Sequence, residues 1–315
     1  MNRQELLDAL RQRLSNLSES EVRRQLERFA EMIDDRVEMG MKETDAVAAL
    51  GDPDKLIADS LLPAAAAPEA GDYGDFIDEI RIHMKNADVK VCAGILPKGM
   101  TARIEASERN VFTWSLENGM LTLTEAAENR RALFRRDSTL TLSLADMIDP
   151  EKLIADSYGG DLKIEGVSAR QMVVLSTSTG DIKVKRLNCQ GRAEITSRSG
   201  DIALTDVQIL GDCKLENMSG DIEMKRLEAG SLRGRAASGD IEGATVRAGT
   251  VVFGTASGDI EIDDLSARPS IRCESISGDI QLSLTGGPYD LNGEEGVPVQ
   301  LNTRSGEIKV KNNNV

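Results

Sequence analysis

The stretch Ser219–Leu227, SGDIEMKRL, is one copy of a sentence the chain keeps repeating. SGDI stands at Ser199, Ser219, Ser238, Ser257 and Ser277, with TGDI at Thr179, GGDL at Gly159 and SGEI at Ser305. The motif glycines are Gly160, Gly180, Gly200, Gly220, Gly239, Gly258, Gly278 and Gly306, in steps of 20, 20, 20, 19, 19, 20 and 28 residues. A nearly fixed period of this length marks stacked supersecondary units, each too small to bury its own apolar face.

Outward from the glycine the columns are regular. Two and four places on come Leu162 and Ile164, Ile182 and Val184, Ile202 and Leu204, Ile222 and Met224, Ile260 and Ile262, Ile280 and Leu282, Ile308 and Val310. Polar residues separate them, which is the period-two signature of a strand with one buried face. A further apolar column runs Val167, Leu187, Val207, Leu227, Val246 and Leu265. The second half of each unit alternates too, as in Val173 and Leu175, Cys213 and Leu215, or Val251 and Phe253. Three places before each glycine stands a small residue: Thr177, Ser197, Asn217, Ala236, Thr255, Ser275, Thr303. The pattern predicts two short strands per unit joined at a tight Ser-Gly-Asp corner, with glycine supplying backbone freedom and Asp or Ser bonding the turning backbone. Stacked about 4.8 Å apart, such units form a parallel β-solenoid.

Residues 75–158 carry strand patterns without the motif, among them FIDEIRIHM, ADVKVCAG and STLTLSLADM, with ENG before MLTLT as a hairpin signal. They read as a less regular start to the same domain that caps its N-terminal end, with the regular coils spanning 159–312.

Residues 1–62 change period. Leu6, Leu7, Leu10, Leu14 and Leu17 fall at helical spacing; Ser18 with Glu21 forms a capping box; Val22, Leu26, Phe29, Ile33 and Val37 make a second stripe ended by Gly40. ETDAVAAL runs to Gly51, and Asp52, Pro53 and Asp54 are start signals for a fourth helix. Residues 63–74 hold Pro63, Pro68, Gly71 and Gly74 among small residues, a spacer composition. The fold class expected is therefore α + β multidomain: a small N-terminal helical bundle (1–62), a linker (63–74) and a parallel, β-helix-like solenoid of ~20-residue coils (75–312).

Composition narrows the function. Fifty-three acids against 38 bases, net -15, disfavour direct nucleic-acid binding. Aromatics at 3% disfavour sugar- or base-stacking surfaces, and a single histidine, His83, removes most imidazole-based mechanisms. Cys92, Cys189, Cys213 and Cys273 lack metal spacing; Cys213 and Cys273 occupy inward places. MNRQELLDAL opens an amphipathic helix and no window holds 18 consecutive apolar residues, so the expectation is a reduced, soluble, cytoplasmic protein with no transmembrane segment and no cofactor.

The acid column is the sharpest chemical candidate: Asp161, Asp181, Asp201, Asp221, Asp240, Asp259, Asp279 and Glu307. Carboxylates about 5 Å apart repel by about 3 kcal/mol per pair at an effective dielectric near 20. The favoured offset is a hydrogen bond that each Asp accepts from amides of its own turn. The lesser alternative is a row of Ca²⁺ ions, with Asp201, Asp221, Asp240, Asp259 and Asp279 as ligands. A glycosidase or lyase would need a non-repeating acid cluster beside aromatics, so no catalytic residue is assigned. Outward residues change sign along the rod, from Lys163 and Lys183 through Glu223, Glu242 and Glu261 to Lys309. The insertion TGGPYDLNGEEGVPVQ before the last coil is the preferred contact loop.

MNRQELLDALRQRL followed by LSESEVRRQLERFAEMIDDRVEMGMKETDAVAALGDPDKLIADSLL resembles the bacterial HAAS domain, the HTH-associated alpha-helical signalling domain. That resemblance implies a protein partner, such as a PadR-type transcriptional regulator or an envelope-stress component. Many relatives carry a membrane helix after it, which is not seen here. Residues 75–312, through the recurring SGDI, resemble the bacterial β-strand-repeat family of unknown function also called toastrack or adhesin-like. The combined expectation is a non-enzymatic signalling or scaffold protein. Two alternatives stay open: an exported adhesin-like surface protein, and a solenoid that self-associates, as a homo-oligomer or a filament.

Overall fold

The computed structural model describes residues 3–13, 41–50, 77–97, 100–106, 112–125, 138–146, 148–291 and 296–313, with positions 26, 30, 33 and 37. The Ser18–Glu21 capping box, the Gly40 and Gly51 stops, the start signals at Asp52 to Asp54, the linker and residues 292–295 of the insertion lie outside them. The chain divides into two compact units, 1–66 and 67–315.

In the first unit Arg3–Arg13 and Glu43–Leu50 are helical. Leu6, Leu10, Ile33 and Val47 are buried, so the helical spacing read from sequence does set an apolar face inward. Val37 departs from it: placed on the second stripe, it stands exposed.

The second unit is a parallel solenoid whose coils lie in register. Ile182 pairs with Leu162 and with Ile202, Ile202 with Ile222, Ile222 with Ile241, Ile241 with Ile260, Ile260 with Ile280, and Ile280 with Ile308. The interior columns follow the strand period: Leu162, Ile182, Ile202, Ile222, Ile260 and Ile280 are all fully buried. Where one coil places a large side chain, its neighbour gives way. A Cβ on Gly234 would lie 2.9 Å from the Phe253 ring, and one on Gly243 2.9 Å from Ile262, so these glycines make room for the next coil's side chain.

The first two regular coils hold three strands rather than two, whereas in later coils the strand runs on through the bends, as in Ile202–Ser219 and Ile222–Ser238. Leu162–Glu165, Ser168–Ala169 and Met172–Thr177 make one turn; Ile182–Lys185, Asn188–Cys189 and Arg192–Ser197 make the next. The extra strand directly follows Val167 or Leu187, and at two residues it is too short for alternation to reveal it. A left-handed residue marks this bend in four successive coils: Gly166 at φ 69°, then Arg186 at 52°, Asp206 at 57° and Arg226 at 57°. The non-glycine members of this column are the costly conformers, and each is tied to its neighbour. Arg186 donates to Glu165 at 2.7 Å and Arg226 donates through Nε and Nη2 to the two carboxylate oxygens of Asp206.

The described strands between residues 77 and 157 form the first turns of the same stack. Glu79–Met84 runs parallel to Lys152–Ser157 and to Met120–Glu125; Asp88–Gly94 runs parallel to Leu162–Glu165 and to Thr139–Ala145. Antiparallel strands then border this end: Phe112–Glu117 on Met120–Glu125, and Ala102–Ala106 on Thr139–Ala145. The hairpin between Glu117 and Met120 turns through Asn118 and Gly119, both at positive φ (51° and 77°), as a two-residue hairpin loop requires.

Candidate functional site

The repeated corner is where sequence concentrates polar chemistry, and its geometry decides what that chemistry serves. The Asp carboxylates do not bond their own turn. In each case Oδ1 accepts the backbone N–H of the equivalent residue one coil later: Asp161 from Asp181, Asp181 from Asp201, Asp201 from Asp221, Asp221 from Asp240, Asp240 from Asp259, Asp259 from Asp279, and Asp279 from Glu307, at 2.7–3.0 Å. This corrects the expected pairing within the turn. A charged acceptor on each amide is among the stronger hydrogen bonds available, and it offsets the repulsion along the row. Asp88 starts the ladder by accepting from Asp161 at 2.8 Å. Sequence reading missed it because NADVKV has no glycine, although the Asp followed by alternating valines was there to see.

The glycines serve the same stacking. Of the eight motif glycines only Gly220 has positive φ, so conformational freedom is not their common reason. A Cβ on Gly180, Gly258 or Gly278 would lie 2.3, 2.1 or 1.9 Å from the carbonyl oxygen of the glycine one coil earlier. A second glycine column, Gly191, Gly211, Gly230 and Gly249, is equally closed to a side chain, at 1.8–2.6 Å from the coil before.

The small-residue column completes the corner. Its side chains, buried in every coil but the last, donate to the carbonyl of the preceding coil's glycine: Thr177 to Gly160, Ser197 to Gly180, Asn217 to Gly200, Thr255 to Gly239, Ser275 to Gly258 and the half-buried Thr303 to Gly278, at 2.8–3.4 Å. Smallness was only half of the requirement; the other half is a donor. Two positions depart from it. Ala236 cannot donate, and Asn217 leaves its Oδ1 buried with no partner.

Outside the corner, the wall two residues beyond the Asp row sorts by charge. Near the start, Lys183 reaches Asp181 at 2.9 Å and Lys163 lies 4.0 Å from Asp161; at the end, Lys309 reaches Glu307 at 2.8 Å. Burial alone would raise the Asp181 carboxyl, but Lys183 and the Asp201 amide hold it below the usual carboxylate range. In the middle Glu223, Glu242 and Glu261 stack in register beside Asp221, Asp240 and Asp259. Burial and then the charges of Asp240, Glu223, Asp221 and Glu261 push Glu242 up. Ala244 stands in the column between Lys225 and Asp263, which leaves a cleft of about 210 Å³ lined by Glu223, Glu242, Glu261 and Asp263 together with Lys225, which pairs with Glu223. Such a wall attracts cations and basic side chains and repels anions.

No other group gathers around it. Among the described residues no cluster of three or more His, Cys, Asp or Glu side chains could hold a metal ion. His83 is exposed on its strand and paired with Asp156. Cys189, Cys213 and Cys273 are buried free thiols, and burial pushes Cys213 and Cys273 up to about 12, so they serve as apolar filling. Cys92 is half-buried. The contact loop is partly built into the fold: Tyr289 is buried, donates to the Thr285 carbonyl at 2.6 Å, and pairs with Val297. No described helix is long and apolar enough to cross a membrane.

A family model described as Toastrack DUF4097 matches residues 77–311, and one described as HAAS matches residues 7–59. Two solved structures are similar to the chain. A "putative adhesin" from Bacteroides fragilis NCTC 9343 is 16% identical over 76% of this chain and 93% of that one, with a TM-score of 0.45. A "putative cell adhesion protein" from Clostridium sporogenes ATCC 15579 is 11% identical over 76% and 94%, with a TM-score of 0.28. No curated protein matches.

Proposed function

The chain belongs to the Toastrack DUF4097 family, and from that footing we propose a non-enzymatic, cytoplasmic scaffold that links a regulatory protein to a rigid β-rod. The N-terminal module contacts the regulatory partner, the PadR-type transcriptional regulator or envelope-stress component suggested by its HAAS character. The solenoid acts as the recognition or scaffolding element. The observation that carries the non-enzymatic reading is the fate of the repeated acids: each corner Asp has an oxygen committed to the next coil's amide, so the chain's recurring polar chemistry is spent on architecture.

Affinity purification of the full chain from its native cell, compared with a chain lacking residues 1–66, tests the reading. The expected result is a regulatory protein retained by the full chain and lost from the shortened one. Partners held equally by both would refute the assignment to the helical module. Recovery of the protein from the cell surface or medium would replace the scaffold with the exported adhesin-like alternative.

A further inference from the structure

The last coil ends in a strand whose inward side chains are only partly covered by the described residues. Ile308 is 42% exposed, whereas Ile280, directly over it in the same column, is fully buried. Val310, under the buried Leu282, is partly exposed. Among the described residues, Ile308–Asn312 pairs only with Ile280–Leu284. The neighbouring strand of that coil, Val297–Ser305, is better protected, since it contains Pro298 and is bordered at its start by Tyr289–Asp290.

The direction of the main-chain groups follows from two observed bonds. Glu307 accepts from the Ile280 N–H, and Asn313 donates to the Leu284 carbonyl, both at 2.9 Å. Residues 307, 309, 311 and 313 therefore turn their main-chain groups toward the neighbouring strand, and Ile308, Val310 and Asn312 turn theirs away. An antiparallel partner would bond directly at these three.

We propose that this edge pairs with the same edge of a second copy of the chain, antiparallel and two-fold symmetric about Lys309. In that register Ile308 lies opposite Val310 of the second copy, as a hydrogen-bonded pair formed twice. Glu307 lies opposite Lys311 of the second copy, again twice, so apolar residues meet apolar ones and opposite charges meet. Lys309 faces its own counterpart, with Glu307 at 2.8 Å on each copy to screen the repulsion. An isologous contact of this kind closes at two copies, which separates it from a filament. The proposal is independent of the regulatory role suggested for the helical module.

Sedimentation of the full chain across a concentration series tests it, with circular dichroism to confirm that each variant keeps its strands. The wild type should reach twice the monomer mass and stop. E307K and K311E should each weaken association at least tenfold, and the double exchange E307K/K311E should restore it. V310P should abolish association, since its N–H points away from the intact ladder; if that variant unfolds, the charge exchanges still decide. With equal amounts of isotopically light and heavy protein, an amine cross-linker should join Lys309 of one copy to Lys309 of another. A monomer at every concentration, a mass that grows past two copies, a dimer indifferent to these variants, or a double exchange without rescue would each overturn the proposal.

Discussion

Replacing Gly258 by alanine should damage the rod far more than replacing Gly254, only four residues away. At Gly258 the new methyl would lie 2.1 Å from the Gly239 carbonyl oxygen and 2.6 Å from its carbon, both backbone atoms that cannot swing aside. Relief requires adjacent coils to part by about 1 Å, roughly a fifth of their spacing. The bonds crossing that gap include Asp259 N–H to Asp240 at 2.7 Å, Thr255 to the Gly239 carbonyl at 3.1 Å and Ile241 N–H to the Asp259 carbonyl at 2.9 Å. An added ångström takes all three out of hydrogen-bond range. At about 1 kcal/mol each, plus residual strain, the loss is about 3–5 kcal/mol. At Gly254 the nearest atom is the Glu274 carbonyl oxygen at 3.8 Å, an ordinary contact, and alanine there should stay within about 1 kcal/mol of neutral. Urea midpoints compare the two variants, and hydrogen exchange across residues 236–262 locates the damage, since a repeat array need not unfold in one step. Equal midpoints for the two variants would refute the argument that the motif glycines exist for coil contact.

Three further outcomes follow from the corner and the acid wall. Asn217→Thr should stabilise the rod by a few tenths of a kcal/mol to about 1 kcal/mol, because threonine keeps the donor to Gly200 and removes the buried, unpartnered Oδ1 while giving up only the longer 3.3 Å bond to the Asp221 carbonyl; a lower urea midpoint would contradict this. Ala236→Ser should raise the midpoint by a similar amount by supplying the missing donor toward the Gly220 carbonyl, and an unchanged exchange rate around residues 220–240 would count against it. Glu242 binds its proton more readily folded than unfolded, so the stability it contributes is present below the ordinary glutamate range and lost as pH rises through its raised pKa. Glu242→Gln should therefore stabilise at neutral pH by a few tenths of a kcal/mol, discounted for its exposure, with the gain vanishing in acid and shrinking in salt. A gain that persists below pH ~4 would contradict the electrostatic cause.

Much of the solenoid was legible because periodicity is a direct print of stacking. The columns headed by Ile182, Ile202 and Ile222 are buried as their alternation requires, and the parallel register follows from the near-constant step. The second corner was hidden for a physical reason. Arg186 and Arg226 are not turn formers; their left-handed backbone is held by ion pairs to the adjacent coil, and a single turn of sequence does not display a contact twenty residues away. The same distance hid the true partner of each Asp. Local reasoning assigned the carboxylate to its own bend, whereas the amide that it bonds belongs to the next coil. Smallness at Thr177 and Ser197 was visible, but the donor role needed the carbonyl beneath. The helical module was legible only as apolar stripes, and Val37 shows that a stripe alone does not tell which of its members the bundle covers.

The most direct test is residue-resolved amide exchange in Asp201→Ala. If carboxylates bind forward along the stack, the amide of Asp221 should lose protection while those of Ser199 to Asp201 keep theirs. Faster exchange confined to the substituted bend, with Asp221 unchanged, would contradict the forward-bonded ladder.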